Sequence, residues 1–316
     1  MLYNTANTRT PLLNAIGGRT RYTNSAKFVL GQTYASAEGD IPDISESGSL
    51  TAPNPSYITR KQAYNVTQIF HDTVGISYAK MSNMGTLGGV NVAGQEANPQ
   101  NELDFQVASK MDKLSRSIEK AFIQGTFNEA TTDTEVNKTR GLIQAIETNV
   151  IDAKGEGLDV WILNDMLIKM AEAGADISNL TVWCNAVQIN QVNGSAVEYG
   201  MEMGAPYANE FGIQIRELLL PSGKVKLALG EFLTDGTSLV LNLSAIAPVE
   251  QPTPGKGNFF LEPLAKTGAG EKYQIFGQIG LDYSAEHLHG KITGLKTTFE
   301  KPLGRRVVTV AEAPTV

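Results

Sequence analysis

Apolar residues change their spacing several times along the chain, and each spacing predicts a different element. Leu103, Val107, Met111, Leu114, Ile118 and Phe122 recur three or four residues apart, which places them on one face of an α-helix. The predicted helix covers 102–124 and is about 35 Å long at ~1.5 Å per residue. Asn101 suits its N-cap, Glu102 and Asp104 are favourable in its first turn, and Gly125 suits its stop. Asp112 and Arg116, spaced by one turn, support the solvent face. A single amphipathic helix of this length is a spine rather than a member of a bundle of short helices.

Before the spine, residues 1–55 are rich in Thr, Asn, Ser, Gly and Pro. Their apolar side chains are too scattered to form a buried face of either period, so an extended arm is expected, either loose or ordered by lying across a neighbour. Over 57–77, Tyr64, Val66, Ile69, Phe70, Val74 and Ile76 give strand character, and a return through Gly85, Gly88, Gly89 and Gly94 makes a long protruding hairpin or loop. Its apolar content is too thin for a core of its own.

After the spine, 141–146 resumes apolar packing, a helix covers 158–173 and stops at Gly174, and 181–184 reads as a short buried strand. A short helix over 186–192 is closed by Asn193-Gly194. Ile213, Ile215 and Leu219 alternate with Gln214 and Arg216, and the alternation returns as Val225, Leu227 and Leu229 beyond Pro221-Ser222-Gly223. Proline second and glycine fourth suit a type I turn, so a hairpin is expected. Residues 238–249 read as one strand ending near Pro252 and Pro254. Tyr273, Ile275, Ile279, Leu281 and Tyr283 alternate through another, and Leu288, Ile292 and Leu295 continue the sheet-like character. The fold class is α+β, without internal repeats.

Composition narrows the function. Of 316 residues, 41% are hydrophobic and 19% charged, which fits a folded chain and excludes wholesale disorder or a coiled-coil rod. A net charge of −7 without any Lys/Arg run excludes a surface that grips nucleic-acid phosphates. No apolar run approaches the length of a membrane span, and residues 1–5 do not begin a signal peptide, so neither membrane insertion nor secretion is expected. Cys184 is the only cysteine, which leaves no disulfide framework and fits a reducing cytoplasm.

Candidate chemistry is sparse. His287 and His289 would project from the same side of a strand, as a metal pair can, but no third ligand stands near them in sequence, so no metal site is expected. His71 stands alone in a strand-like run. Ser77 and Lys80 match a short Ser-x-x-Lys pattern of some acyl enzymes, without the accompanying elements. Gly255-Lys256-Gly257 and Gly268-Ala269-Gly270 read as turns. Met201 and Met203, with Gly200, Gly204 and Pro206, form either a surface loop or an adaptable contact surface, with Glu210 and Phe211 anchoring its end. No catalytic, cofactor-binding or metal residue is expected.

The order of elements resembles that of phage coat proteins of the Hong Kong 97-type fold. Several stretches resemble the SU-ten-like major head protein family: Tyr64-Asn65-Val66-Thr67-Gln68-Ile69-Phe70, the spine from Asn101 through Lys110 to Phe122, Gly141-Leu142-Ile143, Val182-Trp183-Cys184-Asn185-Ala186, Gly280-Leu281-Asp282-Tyr283, and His289-Gly290-Lys291-Ile292-Thr293-Gly294-Leu295. Together they span most of 60–300. The resemblance implies a tailed-bacteriophage major capsid protein, not an enzyme and without cofactors. It implies an N-terminal arm over 1–55, an extended loop over 56–98, a peripheral domain over 99–155 and 251–316 that includes the spine, and an axial domain over 156–250.

The resemblance further implies self-assembly into pentamers and hexamers of an icosahedral virion shell, built in the bacterial cytoplasm. Axial domains would meet around the symmetry axes and extended loops would lie over neighbours. The shell would enclose double-stranded DNA without sequence-specific binding and without contact with a membrane. Portal, scaffolding and decoration proteins are the further partners implied. No long charged helical segment precedes the arm at Met1, so scaffolding is expected as a separate protein. Lys61 and Lys80 flank the loop, but nothing in the spacing supplies the acid catalyst of a lysine–asparagine cross-link, and none is expected. The alternatives are an encapsulin-like nanocompartment shell and a hydrolase resting on Ser77 and Lys80.

Overall fold

The computed structural model describes residues 9–34, 43–52, 57–79, 102–199 and 216–298. The segment expected to be an extended arm carries three elements: a short helix Pro11–Ile16 (α1), and strands Arg21–Tyr22 (β1) and Lys27–Tyr34 (β2). Leu12, Ile16, Phe28 and Leu30 are buried in the main core, against the expectation of no buried face. A helix of fewer than two turns and a half-exposed strand bury only three and two apolar residues, too few for periodicity to register.

Strands Arg60–Val66 (β3) and Gln68–Ser77 (β4) supply the strand character expected over 57–77, but they take different partners. β3 pairs antiparallel with β2 in a separate two-stranded ribbon. The glycine-rich return lies outside the described residues. The spine helix, Glu102–Gln124 (α2), has the expected bounds, while its expected cap Asn101 lies outside the described residues. Its apolar stripe is buried unevenly. Leu103 and Val107 are half-buried and Met111 is exposed, whereas Leu114, Ile118 and Phe122 are core residues. Gly125 ends the helix through close approach: a Cβ there would lie 2.3 Å from the Ala121 carbonyl and 2.5 Å from that of Thr139. Gly141 donates to the Gly125 carbonyl at 2.9 Å, so the loop after the spine returns to the point where the helix stopped.

Then follow Leu142–Ala145 (α3), Val150–Asp152 (β5), Val160–Glu172 (α4), Leu180–Cys184 (β6) and Ala186–Glu198 (α5). Asp159 caps α4 and Gly174, at φ 82°, follows its end. α5 does not stop at Asn193-Gly194 as expected. Asn185 and Gln188 form a reciprocal capping box at its start, and Ala196, a turn beyond Val192, is buried, so packing carries the helix through the glycine.

Strands Arg216–Leu220 (β7) and Gly223–Leu229 (β8) form the expected hairpin around Pro221-Ser222. Its phase differs: Leu218 and Leu220 are buried and Leu219 is 69% exposed. Three consecutive leucines carry no alternation, and pairing of Leu218 with buried Val225 sets the inward face. The strand expected over 238–249 is two, Ser238–Leu241 (β9) and Ala247–Glu250 (β10), in different sheets. Between them Asn242 accepts from Ser244 N at 3.1 Å and turns the chain through Leu243–Ala245. Phe259–Pro263 (β11), Gly270–Asp282 (β12) and Gly290–Thr293 (β13) complete the fold.

β12 is the centre of a five-stranded sheet. β4 lies along one edge, β10 and β11 share the other, and β1 runs parallel to β10. The second sheet has the order β5-β13-β9-β6-β8-β7. β5 and β13 hydrogen-bond into this sheet, although the expected division groups them with the peripheral strands. Val182 and Cys184 of β6 face the core under α4 and α5, while Trp183 turns to the other face and joins the main core with Phe122 and Leu281.

The uneven burial of the spine makes a stability prediction. Leu114→Ala should cost about 2–5 kcal/mol, and Lys120→Ala, on the exposed face, should stay within about 0.5 kcal/mol. Urea denaturation of unassembled subunits measures both. Equal costs would mean that the buried face is misassigned.

Candidate assembly surface and its anchoring junction

Asn65, at the end of β3, is fully buried and uses both ends of its amide. Nδ2 donates to the carbonyls of Leu281 at 2.7 Å and Arg140 at 3.2 Å, and Oδ1 accepts from the backbone of Val66 and Arg140. Thr139, also fully buried, accepts from Leu281 N at 3.1 Å. The segments before the spine, after the spine and at the end of β12 therefore meet at one polar point.

Beside this junction the ribbon is clamped at its base. Lys27 Nζ lies 3.7 Å from the centre of the Tyr64 ring and bonds Glu129 at 2.9 Å. Tyr64 meets Phe127 edge-on at 5.8 Å, and the Arg140 guanidinium covers Phe127 at 4.5 Å. Beyond the clamp the ribbon has almost no core. Tyr34 is 66% and Ile58 53% exposed, and Arg60 to Ala63 are all exposed. A lone two-stranded ribbon is marginal in water, so this end, where Tyr34 and Ile58 are exposed beside Arg60 and Lys61, has little internal support.

The other strand of this region, β4, is fixed to the spine by charge. Asp72 accepts from Lys110 at 2.9 Å and from Lys113 at 2.8 Å. Burial alone would raise the Asp72 carboxyl, but hydrogen bonds from Lys113, Lys110 and the Thr73 N–H outweigh it and hold the group down at about 2.

Among the described residues, those singled out from the sequence lie apart from one another. His71 is exposed on β4, its ring 6.3 Å from that of Phe276. Ser77 ends β4, and Lys80 lies outside the described residues, as do Met201, Met203, Glu210 and Phe211. Asp104 is exposed on the first turn of the spine, and Lys61 is exposed on the ribbon. His287 and His289 do not share a strand face. His287 lies in the turn Glu286–Leu288, and His289 is fully buried, accepting from Asn242 N at 3.3 Å and meeting the Tyr283 carbonyl at 3.0 Å. Burial holds its imidazole down at about 4, so it is a neutral staple between β9 and β13. Cys184 is buried, which pushes its thiol up to about 12. Among the described residues no three His, Cys, Asp or Glu side chains converge, and no helix is long and apolar enough to cross a membrane.

Among the described residues, the buried polar side chains hold the chain's own segments together, and Tyr34 and Ile58 stay exposed on the ribbon. The model of the SU10 major capsid protein family matches residues 1–296. The chain belongs to that family. No curated protein sequence is a match. Among solved structures, the cyanophage A-1(L) capsid asymmetric unit is similar at 13% identity with a TM-score of 0.67, covering 93% of this chain and 95% of that one. The holo-SrpI encapsulin complex from Synechococcus elongatus PCC 7942 is similar at 11% identity and 0.61, covering 96% and 95%. Mycobacterium phage Patience follows at 10% and 0.54, covering 93% and 87%. These likenesses are of fold, and the fold is the Hong Kong 97 type. As a member of the SU10 family the chain is a phage capsid shell protein, and the family match rather than the fold separates it from the encapsulin alternative.

Asn65, Leu281 and Gly141 all stand in stretches that carried the family resemblance, yet their convergence was not readable from them. Asn65→Ala should cost on the order of 2–4 kcal/mol by stranding buried backbone groups of Arg140 and Leu281, measured by urea denaturation. Asp72 predicts an acid limb. Its folded value of about 2 lies below the ordinary 3.8, so its stabilisation is present above pH 3.8 and lost as pH falls through 2. On the order of 2 kcal/mol should disappear over that window in the wild type, and Asp72→Asn should remove that part of the acid dependence.

Proposed function

We propose that this SU10-family subunit assembles as pentamers and hexamers of an icosahedral shell around double-stranded phage DNA, and that it has no enzymatic activity. The carrying observation is the β2–β3 ribbon, clamped at its base and left with exposed Tyr34 and Ile58 at its far end. A surface that a single subunit cannot cover is met by other copies of the same subunit in a closed shell. In this reading the five-stranded sheet and the spine form the peripheral domain, and the six-stranded sheet with α4 and α5 forms the axial domain that gathers around the symmetry axes. The ribbon begins the extended loop that lies over a neighbour.

The net charge of −7 suits a shell that encloses DNA without gripping it. The portal, a separate scaffolding protein and decoration proteins complete the assembly in the bacterial cytoplasm. Expression in phage-infected cells followed by electron microscopy and nuclease protection tests the reading. Closed icosahedral particles with nuclease-protected DNA support it, and particles packed with protein cargo would favour a nanocompartment instead. Tyr34→Ser combined with Ile58→Ser should leave subunit stability within about 0.5 kcal/mol while sharply lowering the yield of closed shells in sedimentation. Wild-type shell yield from that variant would remove the ribbon from the interface.

A further inference from the structure

Helix α1 starts without a cap of its own. Thr10, just before it, makes no side-chain hydrogen bond to the helix, and Pro11 has no N–H, so Leu12 and Leu13 present its first donors. They are met from the spine. Glu119 Oε2 accepts from Leu13 N at 3.1 Å, and the nearby Leu12 N–H also favours its ionised form. Glu119 stands on the stretch of α2 that sends Ile118, Phe122 and Ile123 into the core, and it is fully buried. Its other oxygen, Oε1, has no hydrogen-bond partner among the described residues. An ionised carboxylate there carries charge on an oxygen that no donor satisfies, whereas a proton removes the charge and leaves Oε2 free to accept from α1.

Among the described residues, no cation is seen paired with the Glu119 carboxyl. Glu231, in the loop after β8, opposes a second negative charge, and Arg9 is engaged with Glu231 at 3.5 Å. α1 itself brings no charged residue. On the spine, Lys120 is exposed and Arg116 donates to the Asp112 carbonyl.

We propose that Glu119 is a proton-operated latch for the N-terminal arm, holding α1 on the spine when neutral and loosening it when ionised. Burial drives the docked carboxyl up to about 8, against the Leu13 and Leu12 N–H groups and with the help of Glu231. Released from the core, the group returns towards its ordinary 4.5. The docked arm binds the proton more tightly, so docking is strongest below pH 4.5 and weakens as pH rises through 8. The latch belongs to the single subunit and does not depend on how the shell is built.

Amide hydrogen exchange of full-length unassembled subunits tests it, with rates corrected for the intrinsic effect of pH. Between about pH 5 and about pH 9 the protection of α1 should fall by about tenfold or more, while that of the spine around Phe122 stays level. Glu119→Gln, which stays neutral and can still accept from α1, should keep the helix protected without pH dependence. Glu231→Gln should move the midpoint to lower pH, and it keeps the question decidable if the Glu119 variant folds poorly. Flat protection of α1 in the wild type, an unmoved midpoint in Glu231→Gln, or an unchanged pH profile in Glu119→Gln would each overturn the proposal.

Discussion

A strand that outruns its neighbour leaves an N–H and a C=O that must find other partners if its end is buried. β12 is in this position. β4 pairs with it only as far as Ile279, and Leu281, beyond that point, has no solvent exposure. On the opposite edge Leu281 faces Pro248 as a non-hydrogen-bonded pair, so neither of its backbone groups points towards β10. Both backbone groups of Leu281 are therefore satisfied by side chains, its N–H by Thr139 and its carbonyl by Asn65. Because Asn65 closes β3 and Thr139 leads back to the end of the spine, this requirement fixes where three separate parts of the chain meet. It also fixes the direction in which β3, and β2 paired to it, leave the body.

From that junction outward the structure passes from folding to assembly. The spine repeats the gradient along its length: its C-terminal half is core, while its N-terminal half lies against β4 with Met111 exposed and Lys110 and Lys113 on Asp72. Buried apolar surface makes one end rigid within the subunit. At the other end the Asp72 ion pairs add charge to a face of β4 on which Val74 and Ile76 are also buried.

What the sequence revealed follows the strength of each local signal. The spine was legible to the residue because six apolar positions share one period, and the β7–β8 turn was legible because Pro221 and Gly223 stand where a type I turn wants them. The phase of β7 was not, since Leu218, Leu219 and Leu220 are interchangeable until Val225 chooses between them. The arm was misread because Leu12, Ile16, Phe28 and Leu30 gain their burial from spine and sheet residues far away in sequence. The break between β9 and β10 had a readable cue in Asn242 and Ser244, a side-chain turn that competes with a continuous strand. Glu119 also had one: it lies three residues before Phe122, a charge inside the apolar arc.

The buried polar residues explain why such a subunit adopts one arrangement of its segments. Apolar burial is non-directional and would be nearly as favourable with the arm or a strand displaced by a residue. Hydrogen bonds from buried side chains are not so tolerant, because a displaced partner leaves a donor or acceptor stranded in the core. Asn65 joins the ribbon to β12, His289 joins the exit of β9 to the entry of β13, and Gln188 ties α5 to Ser238 at the start of β9. Each stands where two chain segments distant in sequence must meet in a single register. Glu119 occupies the same kind of position between the arm and the spine, but it alone of these can lose a proton in the accessible range above neutrality. Asp72 between β4 and the spine responds to acid, whereas in the proposed latch the arm responds on the alkaline side of neutrality.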